Sequence, residues 1–132
     1  MDSITEVLSD IDKDINTLKT IHSKNNYLRI LLEHALIPDK KFCLPEGNPP
    51  FKSKAGLTPT ETKGSFWQEA RKLDVYTRKD IKPLRLETLF IQALEGVDAE
   101  SAKILLAVKD QTLDKIYPNI TLENLKEIGY LK

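Results

Sequence analysis

Apolar side chains recur at steps of three and four residues along most of this chain, the spacing that gathers them on one face of a helix. The strongest run covers residues 84–110. Leu86, Leu89, Phe90, Ala93 and Leu94 form one stripe, and Ala102, Leu105, Leu106 and Lys109 form a second. Gly96 falls just past the first stripe, where a left-handed residue would close a helix, and Asp98 stands where a side chain would cap the next one. The pattern predicts an antiparallel helical hairpin that the rest of the chain covers or extends.

Upstream, Ser3 and Glu6 fit a capping box at the start of a long helix, with Ile4, Val7, Leu8, Ile11, Ile15, Leu18 and Ile21 on one stripe. That stripe is read as internal packing, with a homo-oligomer formed through the N-terminal helix as the alternative. Residues 27–37 predict a second helix, apolar on most sides and stopped by Pro38. Ser65 and Gln68 fit another capping box, with Phe66, Ala70 and Leu73 on one side. Pro83 suits the first turn of a helix beginning near Asp80 or Ile81, and Thr121 and Gly129 bound a short last helix. Periodicity vanishes over residues 38–64, which hold five of the seven prolines. Such a stretch is either functional or disordered, and Phe42, Leu44 and Phe51 are apolar anchors that would pin it in place. The expectation is an all-α fold in a single domain over residues 1–132, with about five helices around the hairpin and an ordered proline-rich loop.

Composition changes this picture little. With 132 residues, 40% hydrophobic and 30% charged, the chain is long enough to bury a modest core without disulfides or metal. Its single cysteine, Cys43, fits a reducing compartment and is read as a buried, inert thiol. The acidic start is not expected to be a secretory leader, and no apolar run approaches a membrane span.

Charge adds more. The net charge of zero conceals 11 Lys/Arg against 6 Asp/Glu over residues 39–85, between acidic flanks. Cations that match phosphates and rings that stack on bases are what nucleic-acid binding needs. Arg71, Lys72, Arg78, Lys79, Lys82 and Arg85 are therefore the candidate nucleic-acid contacts, with Trp67, read as core or as a contact platform, beside them. The proline-rich loop supplies a second candidate surface, for a protein partner, at Phe42, Leu44, Pro49, Pro50 and Phe51.

Catalytic chemistry finds no support. The glycines are isolated, so no phosphate-cradling loop is present. His22 and His34 have no ligand at helical spacing and read as surface or hydrogen-bonded histidines, and the Asp-Ile-Asp-Lys-Asp run at residues 10–14 lacks the glycine and distal glutamate of a calcium loop. No enzyme activity, cofactor or metal is expected.

One longer pattern stands out. Residues 44–52 (Leu-Pro-Glu-Gly-Asn-Pro-Pro-Phe-Lys), then 90–96 (Phe-Ile-Gln-Ala-Leu-Glu-Gly), Ala99-Glu-Ser-Ala, Leu105-Leu106 and Lys109-Asp110 resemble a family of small uncharacterised proteins carried by T4-like tailed bacteriophages. The likeness runs from about Tyr27 to Tyr117, with Phe51 where that family usually has tyrosine. The resemblance implies a biological setting and no mechanism: a phage protein acting in the host cytoplasm, with the virion as a second location. Joined to the basic middle, it gives the functional expectation of a non-enzymatic accessory factor. Its partner would be DNA or RNA or the replication or transcription machinery. The alternative is a protein–protein module, either a virion component or a host-directed inhibitor.

Overall fold

A computed structural model describes residues 2–131. Among these the chain forms six α-helices, short 3₁₀ turns and no strand, so the fold is all-α. The helices are α1 (Ile4–Lys13), α2 (Asn26–Leu36), α3 (Lys63–Ala70), α4 (Pro83–Glu95), α5 (Ala99–Asp110) and α6 (Leu122–Glu127).

The predicted hairpin forms, but its second arm is the centre of the molecule. On α5, Ser101, Ala102 and every residue from Ile104 to Lys109 are buried, so the helix is enclosed over its second half, while Ala99, Glu100 and Lys103 stay exposed. It packs more extensively against α2 than against its hairpin partner α4. Leu28, Leu31, Leu32 and Ala35 supply the α2 face, and Leu86, Phe90, Ala93 and Leu94 the α4 face. Each leucine or phenylalanine among them taken out of water contributes about 1.5–3 kcal/mol. At the start of α5 the Asp98 carboxylate accepts the backbone N–H groups of Glu100 and Ser101, as expected of a cap.

Several expectations are corrected. The N-terminal helix is not continuous to Ile21: Asp14 is extended, its carboxylate accepts the Asn16 N–H, and a 3₁₀ turn (Ile15–Lys19) follows. The break aims Leu18 inward and leaves Ile21 71% exposed. Ile4, Val7, Leu8 and Ile11 are buried within the chain, the internal packing that their spacing predicts. Gly96 is right-handed (φ −82). The left-handed residues that follow helices are elsewhere, at Gln111 after α5 and at Gly129 after α6. The box assigned to Ser65 and Gln68 does not cap α3, because the helix already begins at Lys63. The reciprocal box is Thr58 with Glu61: each backbone N–H donates to the other's side chain, at 3.0 and 3.3 Å. Helix α4 starts at Pro83 rather than near Asp80.

The proline-rich loop is held by hydrogen bonds that its sequence does not announce. The Cys43 N–H donates to the Tyr76 carbonyl (2.8 Å) and the Lys54 N–H to the Val97 carbonyl (3.0 Å). Lys109, 2% exposed, extends its ammonium to the Pro45 carbonyl (2.9 Å) and the Asp110 carboxylate. Phe42 is buried, and Leu44 and Phe51 are half-buried against the core.

Candidate nucleic-acid interface

The six candidate cations all lie in one continuous stretch, residues 71–85, which leaves the end of α3, passes through the 3₁₀ turn (Leu73–Thr77) and enters α4. All six are exposed. Within the stretch, six Lys/Arg face only two acids, Asp74 and Asp80. Asp74 is exposed, and its carboxylate accepts the Nε2–H of the buried His34 at 2.7 Å. Asp80 grips Arg78 through two parallel hydrogen bonds, and this holds the Asp80 carboxyl below its ordinary range and the guanidinium above its own. Lys72 lies 3.8 Å from Glu69, one turn back. Arg71, Lys79, Lys82 and Arg85 make no ion pair among the described residues. Two of these four stand at the start of α4, with Lys82 as its N-cap and no acid in the first turn.

The aromatic half of the expectation is overturned. Trp67 is 5% exposed, its indole N–H donates to the Asp2 carbonyl (2.8 Å), and its ring meets Phe66 edge-on. It is not available to stack on a base. Phe42, proposed as a protein contact, is 4% exposed inside a ring cluster with His34, Tyr76 and Phe90. Burial of that cluster fixes Phe42 as core. Of the other loop candidates, Leu44, Pro49 and Phe51 are half-buried and only Pro50 is exposed. Leu44 and Pro49 line a cleft of about 220 Å³ closed by Glu87, Phe90 and Lys109. Cys43 is exposed rather than buried, its Sγ near the Thr77 carbonyl at 3.7 Å.

His34 is a buried structural histidine. Its Nδ1 faces the Lys40 carbonyl at 2.9 Å and its Nε2 faces Asp74, so one ring ties α2 to the turn that follows it and to the 3₁₀ turn at residues 73–77. His22 meets only Asp10, at 3.4 Å. Among the described residues no three His, Cys, Asp or Glu side chains converge on a metal position, and no helix is long and apolar enough to cross a membrane.

A family model matches residues 5–115, nearly the whole helical array and all of the basic stretch. The chain belongs to a family of unknown function, DUF6433. The matched span starts in α1 and ends beyond α5, so it includes the central helix, the proline-rich loop and the residue 71–85 stretch. No curated protein and no solved structure matches the chain.

Sequence reasoning missed a second cleft, between the 3₁₀ turn at residues 73–77 and α4, because its walls come from segments that periodicity treats separately.

Proposed function

We propose that this chain is a non-enzymatic accessory protein of a T4-like phage, working in the host cytoplasm, that binds nucleic acid through residues 71–85. One observation carries the reading: Arg71, Lys79, Lys82 and Arg85 are exposed on a single continuous stretch and no carboxylate among the described residues pairs with them. Cations that the fold does not use internally are free to replace counterions on a phosphate backbone. Two of them sit at the N-terminal end of α4, where the helix dipole already favours an anion. With Trp67 buried, contact is to phosphates rather than by an exposed aromatic platform.

Retention of the purified chain on immobilised DNA and RNA at increasing salt tests this. Binding that falls steeply with salt and weakens in Lys79→Ala, Lys82→Ala and Arg85→Ala supports the reading; absence of binding at every salt concentration rejects it.

A second reading, docking on a protein of the replication or transcription machinery, is favoured by Leu84, which lies between Lys82 and Arg85 and is 75% exposed. Affinity capture from infected cells with and without nuclease separates the two, since partners lost on nuclease treatment are held through nucleic acid.

A further inference from the structure

The cleft between the 3₁₀ turn (Leu73–Thr77) and α4 measures about 360 Å³, within the range of roughly 300–1,000 Å³ usual for small-ligand pockets. Val75, Leu89 and Ala93 give it apolar walls, and Tyr76, Gln92 and the Glu69–Lys72 pair give it polar groups. Two of those polar groups have no hydrogen-bond partner among the described residues. Gln92 is exposed and its amide makes no hydrogen bond among the described residues. Tyr76 is 3% exposed, its ring is packed against Phe42 and Phe90, and its hydroxyl has no hydrogen-bond partner among the described residues yet is not a sealed, orphaned atom. Burial, and after it the Glu69 carboxylate, push that hydroxyl well above its ordinary pKa, so it remains a hydrogen-bond donor at any physiological pH.

The cleft also lies beside the cations. Arg85, Leu89 and Gln92 fall at helical steps of four and three, so Arg85 stands one turn above the cleft wall on the same face of α4. Lys72 marks the opposite side, where the chain leaves α3. An apolar slot with unengaged donors and acceptors, flanked by Arg85 on one side and on the other by Lys72, whose ammonium stands 3.8 Å from the Glu69 carboxylate, matches a flat heteroaromatic ring that carries hydrogen-bonding edges and is attached to phosphates.

We infer that this cleft takes one unstacked nucleobase of a single-stranded nucleic acid while Arg85 and Lys72 hold the phosphates on either side of it. The inference rests on the nucleic-acid reading above and narrows it to single strands. A paired base would have to leave its stack to enter, at a cost of a few kcal/mol. The ring sits between Leu89 and Val75, with Tyr76 donating to its edge and the Gln92 amide bonding beside it.

The test uses the full chain and two labelled oligomers of about ten units, one a single-stranded oligonucleotide and one an abasic phosphodiester of equal length and charge. The base-bearing oligomer is expected to bind more tightly. Gln92→Ala removes an exposed amide, Tyr76→Phe removes only the hydroxyl, and each is expected to narrow the gap roughly three- to tenfold, with abasic binding and its salt dependence unchanged. Equal affinity for both oligomers overturns the base site and leaves the phosphate contact standing. A base preference that ignores both substitutions, or tighter binding of a duplex than of the single strand, also overturns it. Failure to bind either oligomer at low salt overturns the base site and the nucleic-acid reading together.

Discussion

The Asp98 carboxylate joins two parts of the chain. It accepts the backbone N–H groups that open α5, and one oxygen also takes the Thr62 hydroxyl at 2.7 Å. Burial pushes this carboxyl up, but the hydrogen bonds from Ser101, Thr62 and the backbone outweigh it, and the net displacement is downward. An unfolded aspartate titrates near pH 3.9, so the stabilisation is fully present above about that value and is lost as pH falls toward the lower folded one. Urea midpoints recorded from about pH 6 down to pH 2 should fall more steeply for the native chain than for Asp98→Asn; parallel curves would remove Asp98 from the acid response. Half of this residue's role was legible. The cap is a local matter of spacing, whereas Thr62 is 36 positions away and nothing in either segment pairs them. The same limit hid Trp67 and Phe42, because whether a ring beside a stripe turns in or out is decided by what waits there. For Trp67 that is the Asp2 carbonyl, and for Phe42 the rings of Tyr76 and Phe90.

Helix interiors followed from periodicity, and helix ends followed only where the capping residue acts within its own turn. Thr121 accepts the Asn124 N–H at the start of α6, and at its end Tyr130 and Gly129 donate back to the Leu125 and Lys126 carbonyls with Gly129 at φ +80. Gly96 looked equivalent in sequence but is right-handed, because the link to α5 turns directly into the Asp98 cap. The two glycines should therefore respond oppositely to alanine. At Gly96 a Cβ would make ordinary contacts at 3.5 Å with the Ala93 and Gln92 carbonyl oxygens, so Gly96→Ala should stabilise by about 0.4–1 kcal/mol by restricting the unfolded chain. At Gly129 the space is open but the backbone is left-handed, and Gly129→Ala should cost about 1 kcal/mol. Thermal unfolding of both variants checks this, and Tm shifts of the same sign would contradict it. The N-terminal stripe was misread as one helix because Ile15 and Leu18 keep the step while Asp14, a good capping residue, ends the helix beneath them.

Over the whole molecule, charge is arranged against the convenience of the fold. Acids are spent internally where they cap or pair, at Asp14, Asp74, Asp80 and Asp98, while the start of α4 carries Lys82 and Arg85 where a serine or an acid would serve the helix better. That the basic middle exists was readable from the sequence; that its cations divide into paired and unpaired among the described residues, and that Lys72 lines a cleft with Arg85 one turn from its wall, depended on how α3 and α4 approach. If the cations at α4 are retained for a polyanion, then stability and binding should trade against each other at that position. Lys82→Ser supplies the missing cap, because its hydroxyl can accept an N–H of the first turn at an N-cap now without one. It should raise stability by about 0.5–1.5 kcal/mol in urea unfolding. The same change removes one phosphate contact, and the slope of log affinity against log salt should become shallower by about 0.7–0.9. A variant that gains stability with an unchanged salt slope would assign Lys82 no part in binding. One that loses affinity without gaining stability would mean that Lys82 carries no cost to the helix.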